Sequence, residues 1–163
     1  MTGGGSEQRG EEPGGPPRTQ EELESYLPYL VNRLASFGQA AQNRKLSAAG
    51  VNIVTLRALS VLHIHGRLTV NEIAARAFAE QSTASRAIDA MVAAGLVERR
   101  VSSEDQRRRE LALTDRGRAV LHDNWPVVAA HYALLSDGID PDAIATCRSV
   151  LLRMIDNLRK NDV

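Results

Sequence analysis

Two short helical patterns and an arginine-rich hairpin follow one another between Leu68 and Thr114, and this order is compatible with few folds. The helical patterns, residues 69–77 and 81–94, are separated by the three-residue turn Phe78-Ala-Glu80. Two strands then alternate apolar and polar positions around a loop at residues 102–109. We therefore predict a winged helix–turn–helix core within a mainly α-helical (α+β) fold whose only sheet is a small β-hairpin.

Capping residues predict where these helices begin and end. Thr69 and Glu72 have the spacing of a capping box, in which each side chain bonds the other residue's backbone N–H. Asn52 and Thr114 are suitable N-caps for the helices before and after this segment. Gly95 follows the second helical pattern and is suited to a helix C-terminus.

The first and last helices carry narrow apolar seams rather than broad core faces. Pro28 is expected in the first turn of the N-terminal helix, and Pro126 is expected to kink the helix after the hairpin. The seam positions recur at helical spacing in residues Leu27, Leu30 and Leu34, and again in Ile144, Leu151, Met154 and Leu158. The two seams could pair within one chain. A winged helix–turn–helix unit binds only one half of a symmetric DNA site, and pairing two units by two-fold symmetry adds affinity and fixes the register. We therefore expect a homodimer, with these residues at the interface.

The chain is predicted to have one folded domain behind a tail. Residues 1–19 are rich in Gly, Pro and Glu, which predicts disorder. Residues 20–163 form the predicted domain, with a DNA-binding core at about 51–114. The dimerisation helices are expected at about 20–47 and 115–160.

The charge distribution is more informative than the net charge. The formal net charge is +0, which argues against a non-specific polycation. Residues 99–109, however, carry five arginines against Glu104 and Asp105, a local charge of +3. A neutral protein can bind DNA through such a basic site. Aromatic residues make up only 4% of the chain, so the core must be mainly aliphatic.

The helix over residues 81–94 is the predicted recognition helix for the DNA major groove. Its candidate DNA-binding residues lie in the first two turns and are Gln81, Ser82, Thr83, Ser85 and Arg86. The hydroxyls and the N-terminal N–H groups can donate to phosphates, and Arg86 can bond a guanine edge in bidentate fashion. The alternatives are that Ser82 only caps the helix and that Arg86 pairs with Asp89 in the same helix.

The hairpin tip supplies the second group of candidates. Arg107 is expected to enter a narrow minor groove, where the potential is most negative. Arg108 is expected to contact phosphate, and Asp105 to orient the loop, since a carboxylate facing phosphate is repelled. Arg100 and Arg109 could instead pair with Glu98 and Glu110, and the alternative for the whole run is a solvated charged loop.

Other chemistry has little support in the sequence. Cys147, the only cysteine, lies on the apolar seam of the last helix, which favours a buried, unreactive thiol over a redox sensor. The four histidines lack the spacing of a closed zinc site, so no metal is expected. No catalytic arrangement stands out. A single cysteine and the lack of a long apolar run predict a cytoplasmic protein without a membrane segment.

Three sequence segments, taken together, resemble the MarR family of bacterial transcriptional regulators, over about residues 26–160. They are LTVNEIAARA, STASRAIDAMVAAGLVERR and the hairpin signature EDQRRRELALTDRG. Within the last segment, Asp105, Arg107, Leu113, Thr114 and Gly117 stand at the family's usual spacing. The chain departs from the pattern at Phe78, where the turn usually has glycine, and at Ala77 and Ala79, which replace larger aliphatic residues.

The resemblance implies a dimeric repressor that binds a palindromic DNA operator and needs no cofactor. It also implies a small lipophilic or aromatic effector bound between the dimer and DNA lobes, and a pairing of Glu80 with Arg107 that orients the wing. The alternatives are a winged-helix module for protein–protein interaction and a regulator that senses metal or redox state. An enzyme is the reading with the least support.

Overall fold

The computed structural model describes residues 15–77, 81–101 and 107–161, with only the backbone of residues 81 and 82. Its helices are α1 (Gln20–Ser25), α2 (Leu27–Leu46), α3 (Ile53–His65), α4 (Val70–Ala77), α5 (Gln81–Ala93), α6 (Asp115–Ser136) and α7 (Pro141–Asn161). A 3₁₀ turn at Ser47–Ala49 follows α2. The strands are β1 (Arg67–Leu68), β2 (Val97–Val101) and β3 (Arg109–Leu113). The predicted mainly helical fold with a small antiparallel sheet is confirmed.

The chain forms two compact units that divide at Phe37, within α2. In the first unit, Thr19 caps α1, and its side chain accepts from the Glu22 amide. Tyr26, which has an extended backbone, separates α1 from α2, and Pro28 lies in the first turn of α2 as predicted. The cause of the separation is Pro28, which cannot donate to the carbonyl four residues earlier and whose ring would clash with it.

The predicted caps of the second unit are confirmed. Asn52 Oδ1 accepts from the Thr55 amide at 2.8 Å at the start of α3. Thr114 Oγ1 accepts from the Gly117 amide at 3.0 Å at the start of α6. Gly95 follows α5 with a positive φ of 69°, a conformation that favours glycine. Helix α6 continues through Pro126, and the kink expected there stays a prediction.

The sheet has three strands in the order β1-β3-β2, all antiparallel. The two-residue strand β1 was not predicted, because so short a segment shows no alternation. It pairs Leu68 with Leu111, and Val97 on β2 pairs with Leu113. These four side chains are buried, so one face of the sheet packs on the core while the other carries charged residues.

The core of the second unit is aliphatic, as predicted. Its largest fully buried side chains are Leu46, Leu56, Leu59, Leu62, Ile73, Ile88, Met91 and Leu111. They come from the C-terminal part of α2, from α3, α4 and α5, and from β3. The core therefore fixes the helix–turn–helix and the root of the hairpin as one body.

The predicted seam of α7 is not buried within the chain. No residue of α7 is buried, and Met154 and Leu158 are 41% and 67% exposed. Cys147 lies on this same helix and is exposed in the single chain, so its predicted burial would need a second copy and stays a prediction. In the first unit, Leu27, Leu30 and Leu34 on α2 are also exposed.

Within the described residues, no individual helix combines the length and apolar character needed to cross a membrane. One bent pair of consecutive helices, 27–49 and 53–65, meets that condition only when both are taken together.

Candidate nucleic-acid interface

The capping box at the start of α4 is formed as predicted. The Thr69 amide donates to Glu72 Oε2 at 2.7 Å, and the Glu72 amide donates to Thr69 Oγ1 at 3.3 Å. The Thr69 hydroxyl also donates to the same carboxylate oxygen at 2.8 Å. These bonds, first that of the Thr69 amide, lower the pKa of Glu72 to about 2, so its carboxylate is ionised at neutral pH.

Helix α4 packs against α5 through Ile73, Ala74 and Ala77, all buried. The turn predicted at residues 78–80 falls in a part of the chain that the structure does not describe. Phe78, which departs from the family pattern, and Glu80, the predicted partner of Arg107, therefore lie outside the described residues. Their predicted roles stay predictions.

Helix α5 has one buried and one exposed face. Ala84, Ile88 and Met91 are at most 2% exposed and attach the helix to the core. Thr83, Arg86 and Asp89 are exposed, whereas Ser85 is partly buried. Gln81 and Ser82 are the first two residues of the helix, but their side chains are outside the described part of the structure. The described members of the predicted set thus lie away from the core, at the helix start.

Asp89 does not need Arg86 as its partner, because Arg99 on β2 donates to it. Arg99 Nη2 lies 2.5 Å from Asp89 Oδ1, and both side chains are more than half exposed. This ion pair joins the predicted recognition helix to the first strand of the hairpin. Sequence reasoning missed it, because the two residues are on different elements and no local spacing relates them.

The hairpin carries its arginines on and beside β2 and β3. Arg107 is exposed at the end of the loop, whereas Asp105 lies outside the described residues. Arg100 donates from Nε to Glu98 Oε1 at 2.7 Å, which is the strand pairing considered as an alternative for this residue. The exposed position of Arg107 is compatible with a groove contact.

Arg108 lies between two carboxylates rather than standing alone. Its Nη2 is 2.9 Å from both Glu72 Oε1 and Glu72 Oε2, and its Nε is 3.3 Å from Glu110 Oε1. The sequence assigned Glu72 only to the capping box, so its second partner, Arg108, 36 residues later, was not predicted. Glu110 was considered only as a partner of Arg109.

A largely apolar cleft of about 650 Å³ opens between α3 and α6. It is lined by Ser60, His63, Ile64, Arg118, Leu121, His122, Trp125 and Pro126. Ile64 and Trp125 are 74% and 49% exposed, so apolar surface is accessible there. A volume of this size is in the range of small-molecule sites.

Within the described residues, no three His, Cys, Asp or Glu side chains are grouped closely enough to hold a metal ion.

Two short helices on a common core, with a hairpin that carries arginines beside the second helix, define a winged helix–turn–helix protein.

Comparisons with known proteins agree with this class. A sequence model of the MarR family matches residues 49–108. A MarR family transcriptional regulator from Silicibacter pomeroyi is 35% identical, over 86% of this chain and 94% of that chain, with a TM-score of 0.77. A second MarR family regulator from this organism is 36% identical, over 83% and 91%, with a TM-score of 0.73. MepR of S. aureus, solved as a DNA complex, is 20% identical over 83% and 98%, with a TM-score of 0.73, and is similar in fold alone.

No match is found among curated protein sequences. The identity and coverage of the Silicibacter pomeroyi structures nevertheless assign the family: the chain belongs to the MarR family and has the fold of its transcriptional regulators. Members of this family regulate transcription and are not enzymes.

Proposed function

We propose that this chain is a homodimeric repressor that binds a palindromic DNA operator. The observation that carries the proposal is the ion pair between Arg99 and Asp89. It joins the C-terminal half of α5 to the first strand of the arginine-bearing hairpin, so that helix and hairpin can meet one duplex in a constant relative position. A helix and a wing held this way suit a major groove and the minor groove beside it.

Each DNA-contacting residue has a proposed role. Gln81, Ser82, Thr83 and Ser85 donate to phosphates and base edges from the N-terminus of α5, where the helix dipole also favours anions. Arg86, exposed one turn further along, bonds a guanine edge. The outermost contact is made by Arg107, which enters the minor groove. Asp105 and Glu80 orient the wing.

The dimer is supported by the apolar surface that the end helices expose. Leu27, Leu30 and Leu34 are 40–56% exposed on α2, and α7 has an apolar side with no buried residue. Ile144 and Leu151 on α7 are only partly buried by their own chain. A second copy is the occupant we propose for these seams, and two-fold symmetry then requires a palindromic operator.

Replacing Arg107 by alanine tests DNA binding directly. The operator is first obtained by selection from random DNA with the purified protein at stated salt. We expect the variant to have a lower affinity than the unmodified protein for many DNA sequences, because a cationic contact is lost. The slope of log K against log salt should fall in magnitude by about one per protomer.

Arg153→Ala is the matched control, since this exposed arginine lies on α7, outside the residues proposed to contact DNA. Its slope should equal that of the unmodified protein. An unchanged slope in Arg107→Ala would remove the wing from the DNA interface. Failure to select any DNA sequence would favour the alternative of a protein–protein interaction module.

We further propose that a small lipophilic or aromatic molecule binding in the α3–α6 cleft regulates operator binding. Helix α6 begins directly after β3, so a ligand that changes the position of α6 changes the spacing of the two wings. The cleft contains Trp125, the only tryptophan of the chain, which provides a direct optical signal.

Aromatic acids and lipophilic compounds are expected to quench Trp125 fluorescence and to release operator DNA at the same concentrations. Ile64→Glu, which adds a charge to the apolar wall, should raise the ligand concentration needed by about tenfold or more. The control Ile139→Glu changes an exposed isoleucine outside the cleft and should have no effect. A panel in which no compound changes either signal contradicts ligand control at this site.

A further inference from the structure

Arg108, at the end of the hairpin loop, is held by two elements at once. Glu72 is in the first turn of α4, and Glu110 is on β3. The Nη2 and Nε atoms lie on one edge of the guanidinium: Nη2 donates to Glu72, and Nε lies 3.3 Å from Glu110 Oε1 in an ion pair. An arginine fork bound in this way is restricted in direction as well as in distance.

The charge balance argues against phosphate as the partner of Arg108. The charge of the Arg108 guanidinium is balanced by Glu72 and Glu110, so these three groups together offer no net positive charge to a DNA phosphate. Glu110 has only 13% of its side chain exposed, and it cannot easily turn away from Arg108. The expectation that Arg108 anchors a phosphate therefore conflicts with its surroundings.

Glu72 is held by hydrogen bonds to Thr69, and it in turn holds Arg108 in place. Its Oε2 accepts from the Thr69 amide and hydroxyl, so the carboxylate is locked to the first turn of α4. The bond to Arg108 then connects α4 to the end of the wing loop. The pair of Asp89 with Arg99 connects α5 to β2 in the same manner. Helix α4 is thus tied to the end of the wing loop, and helix α5 to β2.

We propose that Glu72 is a positioning residue for DNA binding, which through Arg108 sets the angle of the wing and hence the place of Arg107 in the minor groove. The proposal rests on the proposed function. Arg107 and Arg108 are consecutive, with Cα atoms about 3.8 Å apart, so holding one restricts the reach of the other. Arg108 in this scheme is a tether and not a phosphate contact.

The test compares operator affinity and salt slope for Glu72→Gln, Arg108→Gln and the double variant. Glutamine can still form the capping box, so helix α4 is retained in Glu72→Gln. We expect each single variant to lose about threefold in affinity per protomer, about tenfold for a dimer. The double variant should be no weaker than either single one, and all three should keep the salt slope of the unmodified protein.

Glu98→Gln is the matched control. It also removes one negative charge from a surface arginine pair of the same sheet, but its partner Arg100 is on the same strand, so no tether to a helix is lost. Removing a carboxylate near DNA should by itself increase affinity slightly, and Glu98→Gln measures this effect. The sign for Glu72→Gln is expected to be opposite.

Two outcomes overturn the proposal. An increase in affinity for Glu72→Gln equal to that of Glu98→Gln means that Glu72 only repels DNA. A fall of the salt slope by about one per protomer in Arg108→Gln means that Arg108 contacts phosphate. If the unmodified protein binds no DNA, the proposed function has failed instead. The tether is then judged by hydrogen exchange at Arg109–Leu113, which both single variants should accelerate and Glu98→Gln should not.

Discussion

A Gly117→Ala variant is expected to lose about 3 kcal/mol of unfolding free energy, a large fraction of what holds a domain of this size together. A Cβ on Gly117 would lie 2.0 Å from the carbonyl oxygen of Leu96 and 3.3 Å from Cδ2 of Leu113. The Leu96 carbonyl cannot move aside easily, because it accepts from both the amide and the hydroxyl of Thr114. Since Thr114 also caps α6, the clash affects the junction between the wing and that helix.

Gly38→Ala is the matched control for this prediction. It is also a helical glycine, but the atom nearest to its added Cβ is His131 Nε2 at 2.8 Å, the end of a side chain that can rotate. Because alanine favours helix over glycine by up to about 1 kcal/mol, this variant should be close to neutral. Denaturant unfolding of both variants measures the difference. Equal midpoints would mean that the Leu96–Gly117 junction yields easily.

Introducing two charges on the apolar side of α7 is expected to abolish the dimer. Met154 and Leu158 are one turn apart and exposed, so Met154→Glu/Leu158→Glu should leave the monomer folded while placing carboxylates in the proposed interface. A monomer reads only one half-site. Because the two half-sites no longer act together, operator affinity should fall by about a hundredfold or more.

Thr146→Glu/Ser149→Glu adds the same charge to the same helix, at exposed positions on its opposite side, and should remain dimeric. Sedimentation equilibrium measures the mass, and operator titration measures the affinity. Should the Met154/Leu158 variant sediment as a dimer with unchanged affinity, the seam of α7 is not the interface.

The position of Cys147 on this helix also predicts that its thiol becomes less reactive when the dimer forms.

Local chemistry made part of the fold predictable. The capping box of Thr69 and the N-caps Asn52 and Thr114 each join residues three positions apart, so the local sequence determines their geometry. The two-residue periodicity of β2 and β3 and the apolar stripe of α5 were equally readable. In the candidate site, Thr83, Arg86 and Arg107 are exposed, and their contact with DNA stays a prediction.

The failures concern contacts whose partners are distant in sequence. Strand β1 is defined only by its pairing with β3, about 43 residues later, and its two residues have no pattern of their own. The exposure of Cys147 in the single chain has a related cause, since apolar spacing indicates which side of a helix is apolar and not what covers it. In the part of the chain that the structure describes, no residue of α7 is fully covered.

By itself, the amino-acid sequence determined the order of helices and hairpin, their caps, and which side chains lie at the start of the recognition helix. Only the tertiary structure decided which carboxylates pair with Arg99 and Arg108. It placed Glu72 beside Arg108 and Asp89 beside Arg99, across 36 and 10 residues of chain. The physical reason is that capping and periodicity act over three or four residues, whereas an ion pair forms wherever the packed core brings opposite charges together.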